Sequence, residues 1–102
     1  MAKNISERVL DPVKRARPVS PGFYSVILHN DDYTTFDFVV TVLMNVCGLD
    51  DVQAFLVTKS VHQTGRGCAG TYTRDIAMTK QYLILQAAEQ QEYPLLVTVE
   101  PG

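Results

Sequence analysis

A change of hydrophobic periodicity near residue 30 decides much of what this chain can fold into. Residues 23–29 are rich in β-formers and follow a Pro-Gly pair, which predicts a strand. The strand-poor triplet Asn-Asp-Asp at residues 30–32 ends it in a turn. Thr34, with Asp37 three residues later, predicts the start of a helix, and Gly48 predicts its end. Between them, apolar residues recur at the spacing of an amphipathic helix, at Phe36, Val39, Val40, Leu43, Met44 and Cys47.

A second helix is predicted to begin after that glycine. Asp50 or Asp51 can cap its first turn, and Gly65 and Gly67 break the pattern at its end. One side of this helix is predicted to carry Val52, Phe55, Leu56, Lys59 and His62.

The remaining residues predict two strands with a helix between them. Residues 68–72 predict a short strand, and residues 95–99, which follow Pro94, predict the last one. Thr73 offers the N-cap of a third helix that runs to about Glu89, and an acidic residue in its first turn complements the helix dipole. The inward positions of this helix are predicted to be Ile76, Ala77, Leu83, Ala87 and Ala88.

The predicted order of elements is therefore β-α-α-β-α-β, without an internal repeat. Its 102 residues leave room for one compact domain with one core. Three helices packed on one face of a small three-stranded antiparallel sheet satisfy this order, so we predict an α+β fold.

Charge divides the chain into two segments. Residues 1–22 contain five Lys and Arg against two Asp and Glu, a net charge of +3, and residues 23–102 contain four against nine, a net charge of −5. The first segment has three of the five prolines and no sustained period. We therefore predict a flexible basic arm at 1–22 ahead of an acidic core domain at 23–102. The total of −2 argues against a dedicated nucleic-acid-binding domain.

The sequence also indicates where the protein is located and whether it binds a metal. No apolar run approaches the roughly 18–20 residues that span a bilayer, and the first residues lack the apolar segment of a secretory signal. We therefore expect a cytoplasmic protein with no membrane partner. Cys47 and Cys68 have neither a CxxC pair nor a His at metal spacing. We expect no metal and no cofactor, and we expect both thiols to be reduced and packed in the core.

The triplet at residues 30–32 is the most polar cluster of the core segment. Asn and Asp are common turn residues that bond their own backbone. Two adjacent carboxylates supply too few ligands for a metal, but an Asn carbonyl with carboxylates is a good acceptor set for a cation. A catalytic dyad of Asp32 and His62 is also conceivable, although no nucleophile or oxyanion donor accompanies it. The residues alone indicate a small α/β binding module.

Three segments of the core carry a specific combination of motifs. They are residues 24–34 (YSVILHNDDYT), 61–65 (VHQTG) and 93–96 (YPLL), and the His of the second follows the Asn of the first by 32 residues. This combination resembles the ClpS family, which are adaptors of the AAA+ protease ClpAP, over residues 23–100. The resemblance implies an adaptor that binds the α-amino group and the bulky first side chain (Leu, Phe, Tyr or Trp) of N-degron substrates and delivers them to a Clp unfoldase-protease.

The resemblance also implies roles for individual residues. Asn30, Asp32 and His62 would hold the α-amino group, with Asp31 supporting the site. A pocket for the first side chain is implied at Thr34, Phe36, Val39, Val42, Thr58, Val61 and Leu95. The arm would serve substrate delivery, and the chain is expected to be a monomer and not an enzyme. The N-terminal domain of a ClpA-type or ClpC-type unfoldase would dock on Thr73, Arg74, Asp75 and Lys80.

Two positions depart from the family pattern. Phe36 stands where the family usually has a Met at the mouth of the pocket, and Thr58 stands where another Met commonly contributes to its wall. A phenyl ring is stiffer than a thioether chain, and Thr is smaller and polar. These changes either reshape the pocket or compensate each other, so the ranking of Leu, Phe, Tyr and Trp stays open.

Two alternatives to the adaptor are kept. One is an interaction domain of the same fold with another partner, such as a ribosome-associated module. The other is a small hydrolase that uses Asp32 and His62. Dependence of binding on a free α-amino group distinguishes both from the adaptor.

Overall fold

The computed structural model describes residues 22–102, which form six elements. The three strands make one antiparallel sheet with the first strand of the chain in the middle, which confirms the predicted α+β fold and its order of elements. The arm predicted at residues 1–22 lies, except for its last residue, outside the described residues. The elements are β1 (Phe23–His29), α1 (Phe36–Cys47), α2 (Asp51–Thr64), β2 (Arg66–Thr73), α3 (Arg74–Gln90) and β3 (Leu96–Pro101).

One hydrophobic core joins the sheet to the helices. Helix α3 contacts all three strands, α2 contacts β2, and α1 packs against both other helices. The largest fully buried side chains come from three different elements: Val26 and Leu28 from β1, Leu43 from α1 and Ile84 from α3. Complete burial of such a side chain contributes about 1.5–3 kcal/mol to the stability of the fold. The packing of α1 and α3 on the central strand is therefore stabilised by the same core.

Side-chain caps start the first two helices, and glycines in the left-handed helical conformation end them. Thr35 caps α1 because its hydroxyl accepts a hydrogen bond from the Phe38 N–H at 3.2 Å. The predicted cap, Thr34, was therefore wrong by one residue. Asp50 caps α2, and Gly48 (φ +69°) and Gly65 (φ +95°) end the two helices.

Helix α2 packs through its small residues. Ala54, Thr58 and Val61 are buried, and the side that carries Phe55 and Leu56 faces solvent. The reason is the close approach of β2, where a Cβ atom on Gly67 would lie 2.7 Å from a Val61 methyl. Large side chains cannot fit between elements at that separation.

Three expectations for buried residues were wrong. Ile76 and Leu83 of α3 are 48% and 40% exposed, because the helix faces the core through Ala77, Ile84 and Ala88 instead. Cys68 is exposed on β2, whereas Cys47 is half-buried. Across residues 22–102, no helix is long and apolar enough to cross a membrane.

Candidate functional site

A cleft of about 400 Å³ opens where the loop after β1, the first turn of α1 and the end of α2 meet. Most of the residues that the sequence singled out come together here. The cleft is lined by Asn30, Asp31, Asp32, Thr34, Thr35, Phe36, Val39, Thr58, Val61 and His62.

A backbone hydrogen bond brings the two halves of this cleft together. The Asn30 N–H donates to the Gly65 carbonyl at 2.9 Å, which ties the end of β1 to the end of α2. His62 lies in the last turn of α2, less than one turn before that glycine. Residues that are 32 positions apart in the sequence therefore share one wall of the cleft.

Asp31 organises the loop. One carboxylate oxygen accepts from the Tyr33 and Thr34 backbone N–H groups, both at 2.8 Å, and the other accepts from the Thr34 hydroxyl at 2.6 Å. Burial alone would raise the pKa of Asp31, but these three hydrogen bonds outweigh it and hold the pKa below its ordinary value. The carboxylate is thus ionised and occupied within the loop, and it fixes the backbone on either side of Asp32.

The mouth of the cleft is polar and presents acceptors. The side chains of Asn30, Asp32 and His62 are exposed there. Within residues 22–102, the Asp32 carboxylate has no hydrogen-bond partner, so its oxygens can accept from a ligand. An amide oxygen, a carboxylate and an imidazole nitrogen in one place suit a ligand that offers several N–H donors.

The interior of the cleft is apolar. Val39 and Val61 are each 4% exposed, and they come from facing sides of α1 and α2. Thr58 is 2% exposed, and its hydroxyl donates to the Ala54 carbonyl at 2.7 Å, which satisfies its one donor. A buried apolar group can therefore occupy this space without leaving the Thr58 donor unpaired.

An aromatic pair stands at the rim. The ring of Phe36 lies 5.5 Å from that of Phe55 and 6.5 Å from that of His62, measured between centroids. Phe55 is not among the predicted site residues, and it lies on the exposed side of α2, just outside the cleft. Thr35, which does line it, was also missed, because the expected cap was its neighbour.

Two predicted pocket residues do not line the cleft. Val42 and Leu95 are 4% and 5% exposed and lie in the core cluster. Their role in a side-chain pocket stays a prediction, as do the roles assigned to the residues that do line it.

The residues predicted to meet a partner lie in and beside the first two turns of α3. Thr73, Arg74 and Asp75 are exposed, and Thr73 makes no side-chain cap hydrogen bond. Lys80 is engaged within the protein: its Nζ donates to the Val46 carbonyl in the last turn of α1 at 2.7 Å and lies 5.7 Å from the centre of the Tyr72 ring. In the described part of the chain, no group of three or more His, Cys, Asp or Glu residues could hold a metal ion.

Comparison with known proteins identifies the family. Residues 20–98 match the family of the ATP-dependent Clp protease adaptor protein ClpS. The ClpS adapter of Neisseria gonorrhoeae is 48% identical over 86 residues, which cover 84% of this chain and 83% of the relative. That of Desulforapulum autotrophicum is 38% identical over 97 residues, which cover 95% and 92%.

A solved structure agrees with these sequence matches. Agrobacterium tumefaciens ClpS2 bound to L-phenylalaninamide superposes with a TM-score of 0.77 at 34% identity, over 81% of this chain and 100% of that chain. The match in sequence spans most of the chain, and the match in structure spans the whole of the solved relative. This chain therefore belongs to the ClpS family of ATP-dependent Clp protease adaptor proteins.

Proposed function

We propose that the cleft binds the first residue of a protein substrate and that the chain delivers this substrate to an AAA+ Clp unfoldase-protease. One observation carries the proposal: acceptors stand at the mouth of the cleft, and buried apolar side chains line its interior. An amino-terminal residue has the same two parts, a free α-amino group and a side chain. A Leu, Phe, Tyr or Trp side chain makes the second part bulky and apolar.

The acceptors at Asn30, Asp32 and His62 match the α-amino group. Its ordinary pKa is about 7.7–8.0, so at neutral pH it is mostly a cation with three N–H donors. Hydrogen bonds to a charged group contribute about 1.5–3 kcal/mol each. An internal peptide amide or an acetylated terminus offers no such cation, so the site selects a true amino terminus.

The apolar interior supplies the rest of the affinity. Burial of one large apolar side chain contributes about 1.5–3 kcal/mol, and with the cost of association we expect a Kd on the order of micromolar. L-Phenylalaninamide, the ligand of the related ClpS2 structure, has both a free α-amino group and a benzyl side chain. That chemistry supports a role for the polar mouth of this cleft in binding the amino group and for its apolar interior in binding the side chain.

N-terminal acetylation is the decisive experiment. A fluorescein-labelled peptide that begins with Phe is titrated with the protein by fluorescence polarisation, in free and acetylated forms. We expect acetylation to weaken binding at least 100-fold. Equal affinities would refute the proposal and leave the interaction domain with another partner as the better account.

A pair of isosteric variants tests the assignment of the acceptors. Asp32→Asn removes the charge at the mouth and should weaken binding of the Phe peptide at least 10-fold. Asp37→Asn is the matched control, because Asp37 is an exposed carboxylate of the neighbouring first turn of α1 that does not line the cleft. His62→Ala should behave as Asp32→Asn does. If Asp32→Asn binds as tightly as Asp37→Asn, the assignment of Asp32 is wrong.

We also infer that the N-terminal domain of a ClpA-type or ClpC-type unfoldase docks at the start of α3. The exposed side chains of Thr73, Arg74 and Asp75 support direct contact, and the hydrogen bond from Lys80 to α1 supports a positioning role for that residue. Substitution of both Arg74 and Asp75 by Ala should weaken binding of the isolated unfoldase domain in calorimetry and leave the affinity for the Phe peptide unchanged. Glu89→Ala, an exposed position near the other end of α3, is the control.

We infer finally that the chain acts by binding alone, as a cytoplasmic monomer. The adaptor family supports the first point. Light scattering should give a mass close to 11.4 kDa. Mass spectrometry after incubation with the Phe peptide should show no cleavage, and cleavage by the purified chain would favour the hydrolase.

A further inference from the structure

Two aromatic rings form a continuous ridge at the rim of the cleft. Phe36 is 36% exposed and Phe55 is 47% exposed, and their rings meet at 5.5 Å with an interplanar angle of 58°. Phe36 lines the cleft, whereas Phe55 lies just outside it. The ridge therefore continues the candidate binding surface beyond the space that the first side chain occupies.

The direction of a bound peptide follows from the position of the acceptors. Asn30 is tied to the C-terminal end of α2, and His62 lies in its last turn. Phe55 lies seven residues before His62, which is about 10 Å along the helix axis. The cleft residues of α2, Thr58 and Val61, lie between these two positions. The ridge thus begins beside the amino-group site, where the Phe36 ring lies 6.5 Å from that of His62, and runs along α2 to Phe55.

The tetrahedral geometry at the first Cα atom then sets the course of the chain. With the side chain in the cleft and the amino group at the C-terminal end of α2, the carbonyl group points away from the acceptors. A peptide that continues from there toward the N-terminal end of α2 runs along the ridge. Since successive Cα atoms are 3.8 Å apart, the second side chain comes within reach of the Phe36 and Phe55 rings.

We propose that Phe36 and Phe55 form a subsite for the side chain of the second substrate residue, and that this subsite favours aromatic side chains. The inference rests on the proposed function, because it takes the amino-group site as the anchor. Aromatic pairs gain from tilted and edge-to-face contacts beyond the area they bury. An aromatic side chain of the second substrate residue can make such contacts with Phe36 and Phe55, whose rings are already tilted against each other. Phe55, which does not line the cleft, acts here as a specificity residue for the second position.

Peptides that differ only in their second or third residue test the subsite. Three C-terminally labelled peptides, Phe-Trp-Ser, Phe-Ser-Trp and Phe-Ser-Ser, each with the same following residues, are titrated by fluorescence polarisation. We expect the full-length protein to bind Phe-Trp-Ser about 3- to 10-fold more tightly than Phe-Ser-Ser. Equal affinities for these two peptides, or a larger gain from Trp at the third position, would overturn the proposal without any variant being made.

A matched pair of variants assigns the gain to the ridge. Phe55→Ala should reduce the advantage of Phe-Trp-Ser over Phe-Ser-Ser, measured with the same variant, to less than 2-fold. Leu56→Ala removes a neighbouring exposed side chain, 56% accessible, and should preserve the full advantage. An advantage that survives Phe55→Ala would show that the ridge does not read the second residue.

Acetylated forms of the same peptides separate this inference from the function on which it rests. Loss of binding on acetylation, with no effect of the second residue, would refute the subsite alone. Binding that is indifferent to acetylation would refute the amino-terminal site itself and the subsite with it.

Discussion

Asp31 shows how one side chain can shape a candidate site through the backbone that it holds. Its two oxygens accept three hydrogen bonds from Tyr33 and Thr34, which fixes the loop between β1 and α1. Asp31 and Asp32 both line the cleft, and the Asp32 carboxylate has no hydrogen-bond partner within residues 22–102. Of these two adjacent carboxylates, one is therefore engaged with the loop and the other has oxygens available to a ligand.

Asp31→Asn should therefore destabilise the fold. An amide cannot accept from the Thr34 hydroxyl through its NH₂ group, and it lacks the charge that strengthens the other bonds. We expect a loss of about 1 kcal/mol in the free energy of unfolding at pH 7, measured by urea denaturation. Asp32→Asn is the control and should change stability by no more than about 0.5 kcal/mol.

The stability difference between wild type and Asp31→Asn should depend on pH. The folded pKa of Asp31 lies below its ordinary value of 3.8, so the carboxylate stabilises the fold above about pH 4. This stabilisation is lost as the pH falls through the folded pKa. The difference in unfolding free energy between wild type and Asp31→Asn should hold from pH 7 to about pH 5 and shrink below pH 4. A difference that grows on acidification would contradict the assignment.

Phe36 is one of the two positions that are expected to differ from the family pattern. Its ring is held between those of Phe55 and His62, so it gives the mouth of the cleft a defined shape. Met in its place is unbranched and adapts to several shapes. We expect Phe36→Met to narrow the spread of affinities among peptides that begin with Leu, Phe, Tyr and Trp, changing individual values about 2- to 5-fold. An identical ranking with an unchanged spread would show that Phe36 does not shape selection.

At the residue scale, the sequence predicted best those features that depend only on neighbouring residues, such as helix ends. Gly48 and the cap of α2 follow from backbone conformation and short-range hydrogen bonding, and both were predicted. The error at Thr34 arose because two adjacent threonines are equivalent as caps. The choice between them depends on the hydroxyl bond from Thr34 to Asp31, which is a feature of the folded loop.

At the scale of elements, the close approach of α2 to β2 shapes the cleft. Gly67 on β2 faces Val57 and Val61, and a Cβ atom there would lie 2.9 Å from the Val57 carbonyl oxygen and 2.7 Å from a Val61 methyl. Val61 in turn lines the cleft. The distance between helix and strand therefore controls the position of a cleft wall.

Gly67→Ala should disturb both the fold and the site. The added methyl meets backbone as well as side chain, so α2 has to shift away from the sheet. Overpacking of this kind costs about 1–3 kcal/mol, and we expect that loss in urea denaturation together with weaker binding of the Phe peptide. Gly22→Ala is the matched control, because a Cβ atom there meets nothing within 4 Å. Wild-type stability in Gly67→Ala would show that α2 moves freely on the sheet.

The element order was predictable, but the faces of two helices were not. Periodicity placed helix α1, and of its predicted apolar positions Val39 and Leu43 are buried, whereas Phe36 and Met44 are exposed. In α2 the large apolar residues form the exposed side, since only Ala, Thr and Val fit against β2. In α3 the spacing of Ile76 and Leu83 is that of buried helix positions, but both residues are exposed and Ile84 is buried instead. Both differences depend on how closely the helix meets the sheet, which a single sequence does not encode locally.

At the scale of the whole molecule, the residues that line the candidate cleft and those of the proposed docking surface all belong to the acidic core segment. The cleft is lined by residues between 30 and 62, and the proposed docking surface lies at residues 73–80. The arm predicted at residues 1–22 lies, except for its last residue, outside the described residues. We propose that it serves delivery, as a segment on which the unfoldase can pull, and this role requires length and accessibility more than a particular sequence.

Deletion of residues 1–20 separates binding from delivery. The truncated protein keeps every residue of the cleft, so its affinity for the Phe peptide should stay within 2-fold of wild type in fluorescence polarisation. Degradation of a Phe-initiated substrate by the unfoldase-protease should fall at least 10-fold, because the substrate is bound but no segment is offered for pulling. A variant with the same twenty residues in shuffled order is the control and should restore degradation, since length and composition are retained. Loss of peptide binding on truncation would show instead that the arm is part of the folded site.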